Sequence, residues 1–203
     1  MKSKFDPRKH HRRFIRLKGY DYTSEGAYFV TIVAQGREQF FGEVVDSEML
    51  LNEAGQMIIK WWNELDNKFP NVILGAFVVM PNHIHCIIII EKNVGADLRV
   101  CPEDKNMSQQ MGEPLCSPLQ TTNVSLFQIV QWFKTMTTNE YIHGVKQSNW
   151  KPFKGRIWQR NYYEHIIRNE KELHQKTDFI LDNPSRWEGD QENPNNKKLP
   201  GSD

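Results

Sequence analysis

Residues 72–80 and 85–90 are two almost purely apolar runs, rich in Val and Ile, separated by a break only a few residues long around Pro81-Asn82. Runs this short and this close read as the two strands of a hairpin, and strands apolar on both faces belong at the centre of a sheet. The same segment is not a membrane span. The window 72–90 has 19 residues, but Pro81, Asn82, His83 and His85 interrupt it.

The other elements arrange themselves around this hairpin. Residues 27–34 (AYFVTIVA) are β-branched and aromatic, as a strand requires. Residues 52–69 place Ile58, Trp61, Trp62 and Leu65 at helical spacing before Pro70 ends the pattern. A second helical period runs over 125–143 through Leu126, Ile129, Val130, Phe133 and Met136. Residues 156–167 read as a strand, and Asn169 with Glu172 three positions on reads as a capping box for a last helix that stops at Asn183-Pro184. The order strand, helix, strand, strand, helix, strand, helix predicts an α+β sandwich of ferredoxin-like type, an antiparallel sheet with helices on one face.

Residues 93–123 contain no aromatic side chain and are rich in Gln, Asn, Ser, Pro and Gly. They read as a flexible insertion, which with polar ends accounts for the low mean hydropathy of −0.66. The predicted organisation is a basic arm over 1–18, a domain over 19–187 and a loose polar tail over 188–203. Three cysteines without a CxxC pair make no disulfide framework. Cys86 lies in an apolar run, while Cys101 and Cys116 fall in the insertion and are given no catalytic role. The first 18 residues lack an apolar core of the secretory type, so the expected setting is cytoplasmic.

A formal net charge of +1 looks neutral, but the charge is segregated. Residues 1–18 carry eight basic side chains and one acid, and residues 146–168 carry six basic side chains and one acid. The second stretch also holds Trp150, Phe153, Trp158, Tyr162 and Tyr163. Cations interleaved with aromatic faces suit single-stranded nucleic acid, which offers phosphates and unpaired bases. The candidate contacts are Arg12, Arg13 and Arg16 in the arm, and Lys151, Lys154, Arg156, Trp158, Gln159 and Arg160 in the second stretch.

His83 and His85 stand two residues apart at the entrance of a strand, so both imidazoles lie on one face, where two neutral rings can share a divalent cation. Two structural histidines would look the same, and a metal needs a third ligand. Asn183, at the end of the last helix, is a candidate for it or simply the turn before Pro184. Tyr162 and Tyr163 are candidate nucleophiles for strand transfer, because a phenoxide can attack a phosphodiester and conserve the bond as phosphotyrosine.

Three segments together resemble one family. Met80-Pro81-Asn82-His83-Ile84-His85-Cys86-Ile87 resembles the His-hydrophobic-His motif of single-tyrosine HUH transposases. Trp158-Gln159-Arg160-Asn161-Tyr162-Tyr163-Glu164-His165-Ile166-Ile167-Arg168 is similar to a second signature of the REP-associated tyrosine transposases. Asn183-Pro184 with Trp187 is similar to a third. The similarity spans about 12–187, apart from the insertion. It implies a ferredoxin-like fold that often dimerises, and Mg²⁺ or Mn²⁺ held by His83, His85 and Asn183. It further implies cleavage and rejoining of single-stranded hairpin or repeat-end DNA through a 5′-phosphotyrosine. In that pattern the nucleophile lies four residues before the Asn, and here that position is Phe179. Either strand cleavage is lost and a DNA-binding relative remains, or Tyr163 or Tyr162 stands in. A phosphoesterase using water at the histidine pair is a further alternative.

Overall fold

The computed structural model describes residues 21–91 and 124–196. The basic arm, with Arg12, Arg13 and Arg16, and the insertion over 93–123 lie outside the described residues.

The main sheet contains β1 (Gly26–Val33), β4 (Val72–Val79), β5 (His83–Ile90) and β6 (Tyr163–Ile167), in the order β4-β5-β1-β6. All three pairings are antiparallel. The hairpin supplies one edge strand and one central strand, and β5 is apolar on both faces because it is covered on both. With helices between the outer strands, this is the ferredoxin-like order expected from the sequence. A separate hairpin, β2 (Gly42–Val45) with β3 (Glu48–Leu51), was not foreseen; its four-residue strands carry too short an alternation to stand out.

Side chains alternate across the sheet. Tyr28, Val30 and Ile32 of β1 and Ile84, Cys86, Ile88 and Ile90 of β5 point to one face. There they meet α1 (Glu53–Asn63) through Ala54, Met57, Ile58 and Trp62, and α3 (Leu126–Gln147) through Leu126, Ile129, Val130 and Phe133. Asn52 caps α1 by accepting from Gly55 N at 2.9 Å, and Ser125 with Gln128 forms a reciprocal capping box on α3. The helix expected over 52–69 divides at Glu64 into α1 and a short α2 (Leu65–Lys68).

The helices do not all share one face of the sheet, contrary to the expectation from sequence. The last one, α4 (Glu170–Leu181), crosses the opposite side, where Ile180 joins Phe29, Ile87 and Ile167 in a second, smaller core. The reason lies in the sheet. Phe29, Ile87 and Ile89 leave that face apolar, and without α4 it would meet water. Asn169 accepts from Glu172 N at 2.9 Å, but the Glu172 carboxylate turns to Arg168 N and His165, so only half of the expected capping box closes.

Two further expectations are corrected. Within 156–167 only β6 is a strand; upstream of it a single bridge joins Trp158 to Ala34. The tail expected to be loose from 188 is tied down through 196. Pro184–Gly189 forms a 3₁₀ helix, Glu192 pairs with Arg37 at 2.8 Å, and the side chain of Asn193 donates to Trp187 O. Small polar residues made this segment look unstructured, but their side chains bond the backbone in place of an apolar anchor.

Candidate metal and nucleic-acid cleft

His83 and His85 point to the α4 face, and the register of β1 against β5 sets their neighbours. Thr31 lies directly across from His85, and its Oγ1 is 2.8 Å from His85 Nδ1. Asn82 Oδ1 is 2.8 Å from His83 Nδ1, and the two Nε2 atoms lie 3.0 Å apart.

The protons follow from these contacts. Asn82 Nδ2 is within hydrogen-bond distance of two carbonyls, Arg37 O at 3.0 Å and Glu192 O at 2.7 Å. Carbonyls only accept, so this is the amide nitrogen and Oδ1 is the acceptor that faces His83. His83 Nδ1 therefore carries the proton and its Nε2 presents a lone pair. His85 has a choice. Either Thr31 donates to Nδ1 and the ring passes its Nε2 proton to His83, or Thr31 accepts from Nδ1 and a second lone pair faces the first. The second arrangement needs a cation between the rings, and reaching it from the first moves the His85 ring proton from Nε2 to Nδ1 as the Thr31 hydroxyl turns from donor to acceptor.

Both rings are buried. Burial, and secondarily the neighbouring His85, pushes the pKa of His83 well below the usual histidine value. Burial, then the Lys176 ammonium, lowers that of His85 to about 3. Neutral imidazoles are what a metal requires. The same shift has a stability consequence. From about pH 6.5 downward the unfolded chain takes up protons that the folded histidines refuse, so stability falls with pH, by up to about 1.4 kcal/mol per unit for each histidine. Thermal unfolding in metal-free buffer is expected to move to lower temperature from pH 7 to 4. A His83→Gln, His85→Gln variant should flatten that slope, and an equally steep slope in the variant would disprove the assignment.

Asp190 brings a third ligand atom. Its Oδ2 is 3.9 Å from His83 Nε2, and the ligand atoms of His83, His85 and Asp190 all lie within 4.8 Å of one another. Burial raises the pKa of this carboxyl. Asn183 is buried too. It lines the same cleft as His85, and its Oδ1 has no hydrogen-bond partner. Acceptor atoms gathered without donors fit a cation.

The surrounding cleft is about 700 Å³, with Phe29, Thr31, Gln159, Asn161, Tyr162, Tyr163, Lys176, Phe179 and Arg186 among its walls. Phe179 meets His85 with ring centroids 5.2 Å apart and Phe29 at 5.8 Å. Tyr163, 48% exposed, stands edge-on to Phe29 at 6.3 Å. Lys134, itself buried, donates to Gln159 O and Asn161 O and lies against the Tyr162 ring, so it fixes this wall; burial lowers its pKa to about 8.

The basic stretch divides. Gln159 reaches the cleft, and Lys154, Arg156 and Arg160 are exposed. Lys151 is also exposed but pairs with Glu38 at 2.7 Å. Trp158 is not a stacking face. It is buried against Phe41 and Phe133 and donates to Thr137 Oγ1. Thr31, Asn82, Lys176 and Asp190 were not singled out from sequence. Asn82 sat in view beside the histidines; the others become neighbours only through strand register and the return of the tail.

A four-stranded antiparallel sheet with a His-Ile-His strand facing a C-terminal helix makes this an α+β protein of the ferredoxin-like class. The chain belongs to one family with an uncharacterized protein of Haemophilus influenzae, 38% identical over 191 residues that cover 94% of this chain and 98% of the relative. A second protein of that organism, named "Putative REP-associated tyrosine transposase", is 26% identical over 167 residues, covering 81% of this chain and 73% of the relative. The structure of a REP-associated tyrosine transposase bound to a REP hairpin is similar over 84% of this chain and 73% of that one, with a TM-score of 0.49 and 21% identity. No family model matches. Among the described residues no helix is long and apolar enough to cross a membrane.

Proposed function

We propose that this protein binds hairpin-forming single-stranded DNA at the cleft with the help of Mg²⁺ or Mn²⁺, and that it lacks the strand-cleaving step of the tyrosine transposases. The observation that carries this reading is the position of Phe179, which lines the cleft beside His85 where the family resemblance requires a tyrosine. A phenyl ring keeps the packing and supplies no oxygen. His83 and His85 hold the cation, with Asp190 and Asn183 completing the set; the cation would neutralise phosphate charge. Lys154, Arg156 and Arg160, with Arg12, Arg13 and Arg16 of the arm, supply phosphate contacts. The test is fluorescence anisotropy on a labelled hairpin oligonucleotide, with and without Mn²⁺, over a range of salt. Binding that needs metal and weakens steeply with salt, without nicking, supports the proposal; indifference to metal and salt would sink it.

Thr31 supports the same reading from the second layer. The Thr31→Val change keeps the shape but leaves His85 Nδ1 without its partner. Mn²⁺ affinity should fall about 10–100-fold by calorimetric titration, and unchanged affinity would remove Thr31 from the support of the site.

A second reading has one observation in its favour, since Tyr163 lines the same cleft and is exposed. Its phenoxide would attack phosphorus, the bond from phosphorus to O3′ would break, and a 3′-hydroxyl would leave. An adduct resistant to denaturation in the unmodified protein, absent in Tyr163→Phe, would establish it.

A further inference from the structure

The cleft contains cations in unequal situations. Arg186 pairs with Asp182 at 3.0 Å. Among the acids, Glu192 pairs with Arg37, and Asp190 faces His83. Lys176 lies in the same walls; among the described residues no carboxylate is within ion-pair distance of its Nζ, although the Glu172 carboxylate one turn back on α4 is within its electrostatic reach. It stands one turn before Phe179 and two before Asn183, so these three form one stripe of α4 and its extension toward the cleft. Its ammonium lies 4.8 Å from the centre of the Phe29 ring, close enough to His85 to disfavour protonation there.

A lysine so placed opposes a second cation at the histidine pair. An anion between the two outweighs that repulsion, because each cation is then drawn to one of its oxygens. Building on the metal and DNA reading above, we propose that Lys176 is the phosphate anchor of this cleft. Its ammonium takes one non-bridging oxygen of a DNA phosphodiester whose other oxygen faces the histidine pair, so that divalent metal and DNA bind cooperatively. The coupling is reciprocal: DNA tightens metal as much as metal tightens DNA.

The test measures that coupling on the full chain. Mn²⁺ binding is followed by electron paramagnetic resonance with and without an oligonucleotide that folds into a hairpin with a randomised single-stranded 5′ flank. The wild-type protein should bind Mn²⁺ roughly tenfold more tightly when the oligonucleotide is present, within the usual range of such couplings. In Lys176→Met the ratio should fall to about one, with Mn²⁺ alone bound at least as well as by wild type. Lys176→Arg should keep most of the coupling. Lys171→Met, which removes an equal charge from an exposed site on the same helix, should weaken DNA binding slightly and leave the ratio unchanged. If Lys176→Met keeps the wild-type ratio, or loses Mn²⁺ binding in the absence of DNA, the anchor role is overturned and the function proposed above stands. If the wild-type protein binds Mn²⁺ and DNA without mutual effect, or binds no DNA, both are overturned.

Discussion

Replacing both His83 and His85 with alanine is expected to abolish divalent-metal binding and with it the metal-dependent part of DNA affinity. A metal that binds only the folded chain stabilises it by about 2.7 kcal/mol at a hundred times its dissociation constant. For a chain of this size that is a rise in Tm of roughly 5–10 °C. The wild-type protein should show this rise in Mn²⁺, and the double variant should show none. The variant will also be less stable without metal. Its loss strands Asn82 Oδ1 and Thr31 Oγ1, each bonded to a histidine and buried in the wild type, at about 1–3 kcal/mol apiece. The two effects separate in one experiment. Destabilisation lowers both melting curves of the variant, whereas loss of the site removes the gap between them. A variant that melts lower yet keeps its metal-induced rise would show that the cation sits elsewhere.

The parts of this site that were legible in the sequence are those whose partners are near in the chain or whose pattern is periodic. The two apolar runs around Pro81-Asn82 fixed the hairpin, and period two put His83 and His85 on one face. The family resemblance set Phe179 one turn before Asn183, and both do line the cleft with His85. What was hidden depends on register and on returns of the chain. Thr31 matters only because β1 pairs with β5 in a register that sets it against His85. Asp190 matters only because the segment after α4 doubles back to the strand entrance, where Asn82 Nδ2 donates to Glu192 O. Trp158 misled for a related reason. Basic neighbours made it look like a stacking face, while its own ring is taken by Phe41, Phe133 and Thr137 from three other segments. Charge along a sequence reports which side chains seek water, not which aromatic rings between them do.

On the proposed reading, Phe179→Tyr should create a nicking activity that the wild type lacks. The ring already lies in the cleft with its centroid 5.2 Å from that of His85, and it is 36% exposed, so one added hydroxyl needs little new space. A surface change of this kind usually moves stability by less than about 0.5 kcal/mol, so a gain of activity would be read on an equally folded protein. The new phenol oxygen attacks phosphorus, the bond to O3′ breaks, and DNA remains attached through its 5′-phosphate. On a hairpin oligonucleotide in Mn²⁺ the expected product is a protein–DNA adduct that survives denaturation. It should form at least about 100-fold faster than any wild-type background, equivalent to about 2.7 kcal/mol of barrier. The added Tyr163→Phe change should leave this adduct intact if position 179 is the nucleophile and remove it if Tyr163 is. A Phe179→Tyr protein that binds Mn²⁺ and hairpin DNA as before and still forms no adduct would refute the claim that one missing oxygen separates this chain from a strand-cleaving transposase. The defect would then lie in how the phosphate is presented to the ring, which is the step in which Lys176 and Asn183 are the neighbours to change next.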